Sequence, residues 1–221
     1  MAWKIFDKDA DRYEAWYATP EGRRVDQAER KLLAWLLQKF PDAESALEIG
    51  CGTGHFTALL HQHGLSVVGL DRAPAMLTTL YRLHPDVSAV LGDAHEMPFP
   101  DGAFDISVFI TTLEFLEHPN IALREAVRVS RSGIIVVVLN KWSVGGISRR
   151  WGKQARGCKL KQARDYSLPE LAKLVGETAS QQLEKTWWTS ALFPIGPNEL
   201  LCPIPIGDVI GLAASLTASN S

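Results

Sequence analysis

The chain has 221 residues, 46% of them hydrophobic and 22% charged, the balance of an ordinary globular protein with one good-sized core. Its formal charge of −2 offers no general attraction to nucleic acid or to an anionic membrane, so no nucleic-acid partner is expected and any electrostatic preference must be local. Cys51, Cys158 and Cys202 stand far apart without metal-ligand spacing, which excludes a disulfide framework or a zinc site, predicts no metal, and fits a reducing, cytoplasmic setting.

The N-terminal stretch is broken by charges every few residues and lacks the apolar core of a signal peptide. From Arg23 to Phe40, apolar residues at Val25, Ala28, Leu32, Leu33, Leu36 and Leu37 keep helical spacing, and Pro41 closes the run. Short apolar runs then alternate with helical stretches. The pattern predicts strands at Ser45–Ile49, Ser66–Leu70, Val87–Leu91, Phe104–Ile110 and Gly133–Leu139, and helices at Phe56–His63, Pro74–His84 and Ile121–Ser130. Ile134 to Leu139 is apolar at every position, as expected of a strand covered on both faces. Beyond Asn140 comes a segment, about 141–166, rich in Lys and Arg. Ser167 then reads as a helix cap with Pro169 in the first turn, and Gln181–Trp188 and Val209–Ala214 read as two last strands. The prolines, Gly207 and Asp208 within the apolar stretch Leu200–Leu216 argue against a membrane helix. The expected fold is α/β, Rossmann-like, with a seven-stranded, mostly parallel sheet and helices on both faces. A single domain over 1–221 is expected, with an N-terminal helical flap over about 1–40 and a basic insert over about 141–166.

Gly50, Gly52 and Gly54 lie where a strand passes into a helix, so the backbone can turn tightly and approach a ligand. Asp71 ends the next strand some twenty residues on, where a carboxylate can accept from both ribose hydroxyls or, alternatively, cap the following helix. Asp93, after the third strand, sits at the same edge and could bond an adenine amino group. A nicotinamide dehydrogenase shares the glycine turn and the ribose carboxylate, but its Gly-x-Gly-x-x-Gly spacing would need glycine at His55. A non-catalytic cofactor-binding relative is the remaining alternative.

Glu48-Ile-Gly-Cys-Gly-Thr-Gly54, Leu70-Asp71, Gly92-Asp93-Ala94, Met97-Pro-Phe-Pro100 and Phe104-Asp105 together resemble the class I S-adenosylmethionine-dependent methyltransferases, in particular the small-molecule type that includes the ubiquinone/menaquinone and malonyl-carrier enzymes. The resemblance implies S-adenosylmethionine as cofactor and methyl transfer to a small-molecule acceptor. It places Glu48 and the loop Gly50, Cys51, Gly52, Thr53 and Gly54 near the methionine part, and Asp71 at the ribose. Arg72, Met76, Asp93, Ala94 and His95 would flank the adenine, and Thr111 and Thr112 would face the methionine moiety. It also places a flap over the cofactor, where Tyr13, Trp16 and above all Tyr17 could shield the sulfonium, and where Arg23 could reach the methionine carboxylate. The chain departs from the family at Arg131-Ser-Gly133, which should alter only a turn before the fifth strand, and at Glu114-Phe115, where many relatives carry histidine.

If the acceptor needs a base, His95, Glu114 and His118 are the titratable candidates near strand ends; the competing structural readings are that His118 only shapes a turn and that Glu114 is a solvated helix residue. Lys141, Arg149, Arg150, Lys153, Arg156, Lys159, Lys161 and Arg164 form a run with no acidic residue. It would favour an anionic or lipid-like acceptor or peripheral membrane contact, or else be a solvated loop. Oligomeric state has no sequence signature here.

Overall fold

The structure is a computed structural model that describes residues 3–8, 10–151, 163–193 and 200–217. Three N-terminal helices, α1 (Trp3–Asp7), α2 (Ala10–Tyr17) and α3 (Pro20–Leu37), lead into β1 (Ser45–Ile49). Then follow α4 (His55–Gln62), β2 (Ser66–Asp71), α5 (Pro74–Leu83), β3 (Ser88–Leu91), β4 (Phe104–Ile110), a 3-10 turn at Leu113–Phe115, α6 (Pro119–Val129) and β5 (Ser130–Leu139). The chain continues through α7 (Val144–Trp151), α8 (Leu168–Ala179), β6 (Leu183–Ala191) and β7 (Val209–Leu216).

The seven strands form one sheet in the order β3-β2-β1-β4-β5-β7-β6. Pairing is parallel from β3 through β5, and β7 runs antiparallel to both β5 and β6. From β1 the chain winds outward to β2 and β3, then returns to lay β4 on the other side of β1. The strand order therefore reverses between β1 and β4, where the C-terminal ends leave a crevice that no crossover fills.

The alternation of β5 separates the two cores, as its uninterrupted apolar run predicts. Ile134, Val136 and Val138 face the layer that holds Leu123 of α6 and Leu171 and Val175 of α8. Ile135 and Val137 face the layer of Leu32, Leu33 and Leu36 of α3 and Leu60 of α4. All five β5 residues are fully buried, and each such side chain stabilises the fold by roughly 1.5–3 kcal/mol.

Several boundaries differ from expectation for local reasons. Helix α3 starts at Pro20 and not Arg23, because the Thr19 hydroxyl accepts from the Gly22 N–H at 3.0 Å and Pro20 suits the first turn. Helix α6 starts at Pro119 for the same preference of proline. The segment Ser130–Gly133 is strand where a turn was expected. Arg131 is held there by Asp105 at 2.8 Å and by the Gly102 carbonyl at 2.6 Å, while Gly133 leaves room for Phe40, whose ring would lie 2.3 Å from an added Cβ. Helix α7 falls in the segment read from sequence only as a basic insert. Ser167 does cap α8, in a reciprocal box with Glu170.

Candidate active site

The crevice is walled by the ends of β1, β2 and β4, the turns after β2 and β3, and the helices α1 and α2. It encloses about 900 Å³ of non-atom space including its open mouth, within the range of small-molecule sites.

The glycine turn is left-handed at three positions, with φ of 76° at Gly50, 55° at Gly52 and 87° at Gly54. At Gly50 a side chain is also excluded sterically, since a Cβ would meet Thr112 Cγ2 at 2.2 Å. At Gly52 an added Cβ meets nothing within 4 Å, so glycine keeps that side of the crevice clear. Asp71 ties this turn to the next one. Its Oδ2 accepts from Gly52 N–H at 2.8 Å and its Oδ1 from Ala73 N–H at 2.8 Å. Burial nevertheless pushes its carboxyl above the ordinary 3.8. Asp71 thus fastens two loops whatever else it binds, and helix α5 itself is capped at Ala73 without any side chain.

Opposite, Asp93 pairs with Arg72 at 3.0 Å and with His95 Nδ1 at 2.6 Å. Although partial burial opposes it, the hydrogen bonds from His95 and the Arg72 charge hold Asp93 below 3.8. Both nitrogens of His95 are engaged, because Nε2 accepts from the His118 N–H at 3.3 Å. Thr111, a β-branched residue at φ 47°, is strained where β4 ends on the crevice; its N–H donates to Val137 O at 2.8 Å. Such strain clusters at functional sites.

Of the residues singled out from sequence, Gly50, Gly52, Asp71, Arg72, Met76, Asp93, Ala94, His95, Thr111 and Thr112 all line the crevice. Tyr17, Glu48, Cys51, Thr53 and Gly54 are not in its wall. Tyr17 instead stacks on His55, with ring centroids 4.0 Å apart, and Tyr13 takes the wall position expected of it. Glu48 is buried beneath the turn and accepts from the Thr57 hydroxyl, and burial pushes its carboxyl to about 8. Cys51 packs towards Gly69, Thr53 bonds Glu14, and Gly54 forms the cap of α4. Arg23 does not reach the crevice: it is exposed and donates to the Ala18 carbonyl. Among the candidate bases, Glu114 is buried and accepts from Leu139 N–H at 2.6 Å. His118 is exposed, its ring 5.9 Å from that of His95. The reading missed Trp3, Phe6, Phe115 and Glu117 in the wall. The signal for Trp3 and Phe6 was the cluster of aromatic residues ahead of α3, too short and too charged to read as a helix, whereas Phe115 and Glu117 enter through the turn after β4.

A Rossmann-like sheet with a left-handed glycine turn, a half-buried carboxylate behind it and a crevice at the strand-order reversal is the arrangement at which open α/β sheets hold nucleoside ligands. Residues 47–138 match the methyltransferase domain family, and the fold of the chain is similar to that of solved SAM-dependent methyltransferases. A malonyl-[acyl-carrier protein] O-methyltransferase of Serratia marcescens is 34% identical over 94 residues, which are 42% of this chain and 37% of that protein. The chain spans less than half the length of the first curated relatives it matches. A solved structure from Thermotoga maritima, described as a SAM-dependent methyltransferase and possible histamine N-methyltransferase, is 25% identical with a TM-score of 0.79, covering 96% of this chain and 99% of its own. Magnesium protoporphyrin IX methyltransferase from Synechocystis, solved with bound SAH, shares the fold, at 15% identity, TM-score 0.67 and 93% coverage of both chains.

Proposed function

We propose that this protein transfers the methyl group of S-adenosylmethionine to a small-molecule acceptor. The observation that carries the reading is the open cradle of Gly50 and Gly52, backed by Asp71 at the β1/β4 reversal, within the stretch that matches the methyltransferase family. The residues present fit the cofactor. Gly52 leaves space where a side chain would stand, Asp71 offers a carboxylate to the ribose, and Arg72, Met76, Asp93 and Ala94 make a pocket for a flat base. When bound, S-adenosylmethionine supplies a methyl carbon on a positively charged sulfur, already a good leaving group.

The protein's own task is then alignment and the exclusion of water. Trp3, Phe6 and Tyr13 roof the crevice, with Phe6 edge-on to Phe115 at 4.9 Å and to Tyr13 at 6.3 Å, so α1 and α2 close over the side where the two substrates meet. Thr111 and Thr112, at the end of β4, divide the cofactor side over β1 and β2 from the acceptor side over β4 and β5. The test is calorimetric titration with S-adenosylmethionine and, separately, NAD, followed by a methyl-transfer assay over metabolite pools. Binding of NAD alone would replace this reading with the dehydrogenase one, and cofactor binding without transfer to any acceptor would replace it with a non-catalytic one.

A second reading concerns where the acceptor is met. Trp142, Val144 and Ile147 are exposed at the start of α7, beside Ile204 and Ile206 of the loop that Asn140 and Asp208 fasten to it. No helix among the described residues is long and apolar enough to cross a membrane. This apolar patch, with the basic run that follows it in sequence, supports peripheral contact with an anionic surface and access to a lipid-like acceptor. Lys153, Arg156, Lys159 and Lys161 lie outside the described residues, as do the side chains of Arg149 and Arg150; Lys141 is paired with Glu170 at 2.6 Å. Reversing Arg149, Arg150 and Lys153 to Glu should lower liposome binding and, at low salt, acceptor turnover, with unchanged cofactor affinity. Unaltered turnover and liposome binding would remove the basic run from recognition.

A further inference from the structure

The part of the crevice wall that comes from α1 carries a polar atom left unmet. Trp3 lines the crevice, and its indole Nε1 is buried with no hydrogen-bond partner among the described residues. An indole N–H can only donate, so it needs an acceptor. The charged groups over the ring offer none. The guanidinium of Arg72 lies 5.6 Å from the ring and the ammonium of Lys4 5.8 Å, and both are donors. Trp3 also packs on the apolar cluster of Ala73 and Met76. A buried donor in this state is costly unless its acceptor comes from elsewhere.

The ring is fixed where it stands. Asp7, one turn further along α1, accepts from the Ala75 N–H at 2.9 Å in the first turn of α5, and Phe6 meets Phe115 edge-on at 4.9 Å. Trp3 thus lies against Arg72, the residue just past β2, and Arg72 in turn reaches Asp93 at 3.0 Å. The two carboxylates of this end are engaged, Asp7 by Ala75 and Asp93 by Arg72 and His95. Arg72, Met76, Asp93 and Ala94 are the residues that form the pocket for a flat base, so the unmet donor stands at the base end of the crevice.

We infer that the Trp3 N–H donates a hydrogen bond to a ring nitrogen of the cofactor's adenine, which makes Trp3 a residue of α1 that reads the base. The inference rests on the proposed S-adenosylmethionine site. Adenine suits the two kinds of partner at this end. Its ring nitrogens accept, as an indole requires, and its amino group donates, as a carboxylate such as Asp93 requires. A base with a carbonyl in place of the amino group would set an oxygen against Asp93.

The test is calorimetric titration of the full chain with S-adenosylhomocysteine and with its 1-deaza, 3-deaza and 7-deaza forms, in each of which one ring nitrogen is replaced by C–H. Trp3→Phe keeps an aromatic ring beside Arg72 and removes the donor. It should bind S-adenosylhomocysteine about five- to tenfold more weakly than the wild type does. One deaza form should be penalised in the wild type and no longer penalised in Trp3→Phe, while any penalties of the other two stay as they were. If Trp3 only braces α1, all four ligands weaken alike in the variant, and that result overturns the inference, as does unchanged affinity. Should Trp3→Phe fail to fold, the wild type decides by nuclear magnetic resonance. The Trp3 indole proton should shift downfield and exchange more slowly with S-adenosylhomocysteine, and one deaza form should fail to produce this; a proton that responds to none of the four, or to all alike, overturns the inference. Failure of S-adenosylhomocysteine itself to bind the wild type would instead overturn the methyltransferase reading, and this inference with it.

Discussion

Asp71→Asn is the most informative single substitution, because it separates what a carboxylate does for the fold from what it does for a ligand. In the free protein Asp71 accepts from Gly52 and Ala73, both at 2.8 Å. The asparagine amide keeps one acceptor oxygen and turns an NH₂ towards the other donor, so one charge-assisted bond is lost and one backbone N–H is left unmet. A hydrogen bond to a charged group contributes about 1.5–3 kcal/mol. Removing the charge also relieves the burial that lifts the Asp71 carboxyl, so the net loss of stability should lie near the lower end, about 1.5 kcal/mol, or a fall in Tm of roughly 3–6 °C for a chain of this size. Cofactor binding loses the ribose contact, worth a similar 1.5–3 kcal/mol, and the Kd for S-adenosylhomocysteine should rise about 10- to 150-fold. Calorimetry gives the second number and a thermal melt of the free protein the first. Wild-type affinity alongside a lowered Tm would show that Asp71 serves the loops alone, and wild-type values for both would refute the reasoning.

Three other expectations follow from the same geometry. Gly50→Ala should destabilise the protein by at least about 2 kcal/mol, from the φ of 76° and the 2.2 Å approach to Thr112, and a melt within a degree of wild type would contradict it. Glu48, carried by burial from an ordinary 4.5 to about 8, binds its proton more tightly folded than unfolded, so its contribution to stability is greatest below about pH 4.5 and declines as pH rises towards 8. Unfolding free energies of Glu48→Gln and wild type should therefore diverge in favour of the variant from about pH 5 to about pH 8, and parallel curves would exclude the effect. Methyl transfer should persist in EDTA, since a sulfonium needs no Lewis acid; complete loss restored by one divalent metal would overturn this.

Much of this architecture can be read from residue patterns because the signals are local. The alternating apolar runs locate every strand, and β1 and β4 match at both ends, since each is bounded by turn residues. Gly50 and Gly52, with an aspartate at the next strand end, give the crevice its floor, and Gly54 begins the helix that follows. What escaped the reading is set by long-range packing. Tyr13 and Tyr17 are one helical turn apart on α2, and only the placement of His55 decides that Tyr17 stacks away from the crevice while Tyr13 faces it. Glu48 carries a family expectation of a ligand contact, yet alternation along β1 turns its side chain to Thr57. Arg131 turns a presumed loop into strand through Asp105, a partner distant in sequence that no local pattern reveals.

The placement of β7 has a consequence for how the chain reaches its native state. The apolar run Ile134–Leu139 of β5 is paired on one edge by β4, which precedes it, and on the other by β7, which is made long afterwards. During synthesis, then, the most hydrophobic strand of the sheet has its neighbours on one side only until Val209–Leu216 leaves the ribosome. An open apolar edge is a template for pairing with another nascent chain. Delayed synthesis between β5 and β7 should therefore raise the insoluble fraction, whereas slowing before β4 should leave it unchanged.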